Sequence, residues 1–126
     1  MYLVNLLPPP DYVQRIKTIL CIAKYFDNLK PQDLHNIIYI LSRLGIVRDY
    51  YGDWRANSSL GVRSNLLDID IAFMVENNIL REINGYLKPF INSIECSDIE
   101  NKLKVIFNIG SSRKLLSYVD KAAKIS

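Results

Sequence analysis

The chain offers few side chains able to do covalent chemistry. Its one histidine, His35, has no second histidine or cysteine at metal-ligand spacing, so metal-assisted hydrolysis and a Ser-His-Asp arrangement both lack parts. His35 is expected on a helix surface or in packing. Cys21 and Cys96 are far apart, with neither CxxC spacing nor a nearby histidine. Cys21 falls in an apolar helical pattern, where a thiol behaves as a small buried hydrophobe. Asp68 and Asp70 stand two apart, which on a helix turns them about 160° from one another rather than into one site. Asp49 and Asp53 could hold a hard cation, but solvated carboxylates of a surface loop are the simpler reading. Neither GxGxxG nor GxxxxGK[ST] occurs, so nucleotide fingerprints are missing. The expectation is a chain that catalyses nothing and carries no metal or cofactor.

What remains is binding. A net charge of +3 hides an asymmetry: residues 1–100 carry a balance of −2, and residues 101–126 one of +5. A basic end on a near-neutral body points to a polyanionic contact. Duplex DNA is therefore the leading partner, with Arg63, Arg81, Lys88, Arg113 and Lys114 as the candidate contacts.

The elements that must position these cations can be read from periodicity. After Pro8-Pro9-Pro10, Asp11 starts a helix whose apolar set, Tyr12, Val13, Ile16, Ile19, Leu20, Ala23 and Phe26, keeps helical spacing to about Asp27. Pro31 opens a second helix with the stripe Leu34, Ile37, Ile38, Leu41 and Leu44, and Gly45 is placed to end it in a left-handed conformation. Residues 47–54 read as a short extended segment rich in aromatics, with Gly52-Asp53 as turn material, and residues 55–63 as the least regular stretch. Ser64 or Asn65 caps a third helix, with Asp68 in a capping-box-like position, running to about Asn78. Asn84-Gly85 between residues 79–83 and 86–90 predicts a two-residue type I′ hairpin, because both turn positions need positive φ. Pro89 suits a strand end. Ser97 caps a fourth helix with Ile99, Leu103, Ile106 and Phe107, and Asn108-Ile109-Gly110 turns into a last helix over 112–124.

The order helix, helix, short strand, helix, hairpin predicts an α+β, predominantly helical, winged-helix-like domain: three helices, a β-hairpin wing and a C-terminal helical hairpin over 97–126. One domain spans 1–126, with 1–10 as an N-terminal extension. Residues 1–7 are apolar but too short for a signal peptide, and no run approaches the roughly 20 residues of a membrane span. A cytoplasmic protein is the default expectation.

Gly61-x-x-Ser64-x-x-Leu67-x-x-Asp70-Ile71, followed by Ile79-Leu80, resembles small prokaryotic winged-helix-like proteins, including the Panacea-type antitoxin domains. The likeness covers roughly residues 34–90. Val62 stands where that pattern usually has proline, and Leu60 where an aromatic is common. The resemblance implies the fold and hints at a prokaryotic regulator or antitoxin-like binder.

In a winged helix the third helix reads DNA. Here its expected solvent arc, Asn65, Asp68, Ala72 and Glu76, carries carboxylates that phosphates repel. Leu66, Leu67, Ile69, Ile71, Phe73, Met74 and Val75 cover most of the remaining circumference. So wide an apolar arc predicts burial on two sides, and Asp70 inside it needs a partner. Arg81 and Lys88 should face each other across the wing, where like charges invite an anion. Residues 106–115 have the outline of a helix-turn-helix with Arg113 and Lys114 in its first turn. The reading is a homodimeric DNA-binding regulator, its dimer drawing on helix 3 and on Leu115, Leu116, Tyr118 and Val119. The rival is a protein-interaction module using helix 3 with Tyr50, Tyr51, Trp54 and Asp70.

Overall fold

The computed structural model describes residues 11–57, 61–91 and 94–106. Those residues form four helices and two antiparallel hairpins, an α+β arrangement. The order is α1 (Tyr12–Tyr25), α2 (Pro31–Arg43), β1 (Arg55–Ala56), β2 (Val62–Arg63), α3 (Asn65–Glu76), β3 (Leu80–Ile83), β4 (Tyr86–Pro89) and α4 (Ser97–Ile106).

α2 is the central element. Every residue from Leu34 to Leu41 is buried, the signature of a helix enclosed on all sides rather than one laid on a surface. Pro31 occupies its first turn, and the Lys30 backbone N–H donates to the Asp33 carboxylate at 3.1 Å. Its end is a complete Schellman motif. Gly45 sits at φ 74°, Ile46 N–H reaches Leu41 O at 2.9 Å, and Gly45 N–H reaches Ser42 O at 3.1 Å. The same device stops α3 at Glu76, two residues before the expected end: Asn78 takes φ 59° and Ile79 N–H bonds Met74 O at 2.8 Å. An asparagine tolerates this left-handed position, as glycine does at the end of α2.

The β3–β4 hairpin forms as its turn chemistry demands. Asn84 and Gly85 sit at φ 53° and 82°, and the register pairs Arg81 with Lys88 and Ile83 with Tyr86. Leu87 N–H also donates to Leu29 O at 2.7 Å, so β4 is tied to the α1–α2 connection as well. α1 packs against α4 and β4, α2 against β2, and α3 against β3. Ile22, Leu34, Ile37, Leu67, Leu87 and Leu103 meet in the core with essentially no exposure.

Three expectations need correction. Residues 47–54 are not a strand; the first ladder forms just beyond, between β1 and β2. The physical reason is Asp49, whose carboxylate accepts from Tyr51 N–H, Gly52 N–H and Trp54 Nε1 at 3.0–3.2 Å. A local turn thereby satisfies donors that a sheet would otherwise use. Residues 55–57 and 61–63, expected to be the least regular, contain that ladder. The cysteines are not separate thiols either: Cys21 and Cys96 form a disulfide with Cα atoms 5.4 Å apart, both buried. α1 carries Cys21 to the point where the chain enters α4, a proximity no local pattern encodes. The C-terminal turn and helix, with Arg113 and Lys114, lie outside the described residues, as does the 1–10 extension.

Candidate protein-interaction face

Two polar networks hold α3 in place, and together they determine which of its residues are left outside. In the first, Asp70 is buried, as its position in the apolar arc required, and has the partners it needed. Arg15 of α1 donates to it from Nε at 2.9 Å, and the Tyr51 hydroxyl donates at 2.7 Å. Asp11 takes the Arg15 Nη1 at 2.9 Å, so the guanidinium spans two carboxylates. Burial, and then the bond to Asp70, push the Tyr51 hydroxyl far above its ordinary pKa. It is a fixed donor. Asp70 and Tyr51, both candidates for partner contact, thus have their polar atoms engaged with each other. Trp54 and Tyr50 are half-buried beside them, Trp54 edge-on to Tyr39 at 5.3 Å and to Tyr51 at 6.1 Å.

The second network centres on His35, which is fully buried rather than on a helix surface. Ser64 N–H donates to its Nδ1 at 3.1 Å, so Nε2 must carry the proton that goes to Asp68 Oδ1 at 2.9 Å. The ring is therefore neutral, and burial holds its pKa below the ordinary 6.5. Asp68, expected on the solvent arc, is instead gripped by Arg63 from Nε and Nη2 at 2.9 and 3.1 Å. Ser64 caps α3 through Leu67 N–H at 3.0 Å and gives its own hydroxyl proton to Asp53, which also accepts from Leu66 N–H. Asp53 is thus a helix-cap partner and not a solvated loop carboxylate. Serine, histidine and aspartate are neighbours here, but they are wired for support: the imidazole meets the serine backbone, and the hydroxyl is buried and committed elsewhere.

Gly61 belongs to the same structure. It sits at φ 126°, and a Cβ there would lie 2.1 Å from Asn36 Oδ1, the oxygen that accepts from Val62 N–H and Gln32 Nε2. Gly61→Ala is expected to cost about 2 kcal/mol, combining overpacking with an unfavourable φ. Chemical denaturation measures it, and a loss under about 0.5 kcal/mol would mean that Asn36 yields freely. Each residue of the Gly61–Ile71 pattern that carries the resemblance is used structurally. Gly61 permits this close approach, Ser64 caps α3, Leu67 and Ile71 fill the core, and Asp70 forms the ion pair.

The pH dependence of stability follows. A neutral His35 with a depressed pKa binds fewer protons folded than unfolded, so stability is complete above about pH 6.5 and falls as the pH drops below it. Asp68 and Asp53 are held below their ordinary 3.8; burial opposes this, but the bonds from Arg63 and His35 to Asp68, and from Ser64 and backbone N–H groups to Asp53, outweigh it. Their contribution is present above 3.8 and is lost as the pH falls through their folded values. Thermal midpoints recorded from pH 8 to 3 should therefore be flat, then fall in two stages. A flat profile down to pH 5 would rule out the neutral buried imidazole.

With Leu67, Asp70, Ile71 and Met74 turned inward, the outward face of α3 is Asn65, Leu66, Ile69, Ala72, Phe73 and Glu76. Leu66 is 46%, Ile69 63% and Phe73 41% exposed. The apolar surface continues onto α1, where Tyr12 meets Phe73 edge-on at 5.6 Å and Val13 is 65% exposed. Beyond it lies a shallow apolar groove among Tyr12, Val13, Ile16, Ile79 and Ile94, edged by Lys17 and Glu95.

The expected DNA contacts are scattered. Arg63 lies at the start of α3, paired with Asp68. Arg81 and Lys88 are opposite each other on the β3–β4 hairpin, with the Arg81 guanidinium 4.0 Å above the Phe90 ring. The outward face of α3 bears no cation. Among the described residues no group of three or more His, Cys, Asp or Glu is placed to hold a metal ion, and no helix is long and apolar enough to cross a membrane. Sequence reasoning missed His35, Arg15, Gln32 and Asn36 as organisers; the available signal was polar residues interrupting the apolar pattern of α1 and α2. Comparison with protein-family models, curated proteins and solved structures finds no match.

Proposed function

We propose that this chain is a non-catalytic protein-interaction module whose docking face is the outward side of α3. The observation that carries this reading is the exposed stripe Leu66, Ile69 and Phe73 on a helix anchored from behind by two hydrogen-bonded networks. Surface apolar residues scattered singly need no explanation, whereas a contiguous row on a rigid helix marks a contact site. Such a face takes an apolar helix or a complementary apolar surface of a protein. An antitoxin-like binder, as the resemblance to Panacea-type domains suggests, fits this description.

The test is capture by the tagged chain against its Ile69→Asp variant, with partners identified and the pair remade from pure components. Ile69 is mainly exposed, so the variant should fold normally and lose at least tenfold in affinity, as expected for a charge placed in an apolar contact. Equal affinity in the two proteins would sink the reading.

The second reading is a winged-helix-like, DNA-binding regulator, and one observation favours it. Both hairpins set cations directly opposite one another, Arg55 across from Arg63 and Arg81 across from Lys88, an arrangement that an anion relieves. Under it, affinity for duplex DNA falls steeply with salt, and alanine at Arg81 and Lys88, or at Arg113 and Lys114, flattens the salt slope by about two. Fluorescence anisotropy without binding at low salt would eliminate it. The disulfide bears on compartment under either reading: such bonds persist in oxidising surroundings and are rare in the cytoplasm.

A further inference from the structure

The outward face of α3 is flanked by charges of the wrong sign for the helix, Glu76 within its last turn and Arg63, on β2, just before its start. Glu76 lies in the last turn, which contains no basic residue, at the end where the helix dipole disfavours a carboxylate. It forms no ion pair among the described residues. Arg63 stands immediately before the cap Ser64, at the end that disfavours a cation. Its Nε and Nη2 serve Asp68, while its Nη1 makes no hydrogen bond among the described residues. A guanidinium has further donors to offer a second carboxylate.

Between these ends Leu66, Ile69, Phe73 and Glu76 are spaced three, four and three apart, the spacing of a seam between two paired helices. Ala72 beside the seam lets helix axes approach to the roughly 8–10 Å of close packing. We infer that a second copy of this chain covers α3, the two helices packing antiparallel about a two-fold axis near Ile69. The inference rests on the protein-interaction reading of α3 and names its occupant.

Charge selects both the partner and the direction. In a parallel pair Glu76 would meet Glu76 and Arg63 would meet Arg63. In an antiparallel pair each Glu76 reaches the helix start of the other copy, where Arg63 has donors to spare, and the two helix dipoles oppose. The stripe supplies both halves of its own complement, the requirement for an isologous contact. A helix of 12 residues is about 18 Å long, and one pair of helices that short buries less than the roughly 1,200 Å² at the lower end of stable interfaces. Tyr12 and Val13, continuous with Phe73, extend the patch beyond the helix pair.

The experiment is sedimentation velocity on the full chain from low to high micromolar concentration. Wild type should move from the chain mass to twice that mass, and Ile69→Glu should remain at the chain mass with an unchanged circular-dichroism spectrum. Glu76→Arg alone and Arg63→Glu alone should each weaken self-association about tenfold, because each brings like charges together at both ends. Mixed in equal amounts, the two variants should pair with each other as tightly as wild type does with itself. Should Arg63→Glu fail to fold beside Asp68, Ile69→Glu and Glu76→Arg still carry the test. A wild-type chain that stays monomeric at high concentration overturns the second copy, as does a dimer indifferent to Ile69→Glu; failure of the mixed variants to recover overturns the antiparallel pairing. A monomeric wild type that still loses a different protein partner on Ile69→Asp would leave the interaction reading standing without this occupant.

Discussion

Replacing Cys21 and Cys96 together by alanine is expected to lower folding stability by roughly 4 kcal/mol, the loop-closure value for a bridge spanning 75 residues. The bridge joins the middle of α1 to the residue just before α4, so it constrains most of the unfolded chain. Only Leu103 of α4 is fully buried, which leaves that helix weakly held once the covalent tether is gone. Urea unfolding followed by far-ultraviolet circular dichroism measures the loss, and hydrogen exchange should show α4 amides losing protection first. Wild type in strong reductant should approach the double variant, slowly, because both sulfurs are buried and reduction requires local opening. An unfolding midpoint indifferent to both reductant and substitution would show that the pair contributes no constraint.

Asp70→Ala is the second large effect, expected at about 3 kcal/mol, the lower end for removing one member of a buried ion pair. Its cost arises from what stays behind. Arg15, whose side chain is only 17% exposed, keeps a charge with Asp11 as its remaining carboxylate, and the Tyr51 hydroxyl loses its acceptor. Tyr51→Phe should cost nearer 1 kcal/mol, since it removes a donor without stranding a charge. Replacing Arg15 by Met together with Asp70→Ala should recover part of the single-mutant loss, because no unpaired charge then remains. Strict additivity of the Arg15 and Asp70 substitutions in denaturant titrations would show that the two do not act as a pair.

These two cases mark the boundary of what was legible beforehand. Asp70 could be singled out as a carboxylate in need of a partner, because its position inside the apolar arc of α3 follows from helical spacing. That the partner is Arg15, 55 residues away, depends on α1 lying beside α3. The cysteines read as isolated for the same reason. His35 looked inert because a lone histidine has no local motif, yet it touches Ser64 and Asp68, 29 and 33 residues further on.

What the sequence determined by itself is therefore the set of features settled within a turn or two of the chain. Asn84-Gly85 specifies the β3–β4 hairpin and its register, because only residues tolerant of positive φ fit both turn positions. Gly45 ends α2, a cap at Ser64 or Asn65 begins α3, and apolar spacing puts Ile19, Leu20 and Ala23 of α1 and Leu34, Ile37, Ile38 and Leu41 of α2 inside, while Val13 and Leu44 of the same stripes stay exposed. Tertiary structure decided the rest. It joined Cys21 to Cys96, drew Arg15 to Asp70, buried His35 against Asp68, and brought Asp53 to the start of α3. Above all it chose which apolar residues of α3 stay outside: all of Leu66, Leu67, Ile69, Ile71 and Phe73 favour burial, and packing against the neighbouring elements consumes only Leu67 and Ile71 of these. Leu66, Ile69 and Phe73 are left to face outward because one helix has more apolar circumference than a single core contact can cover.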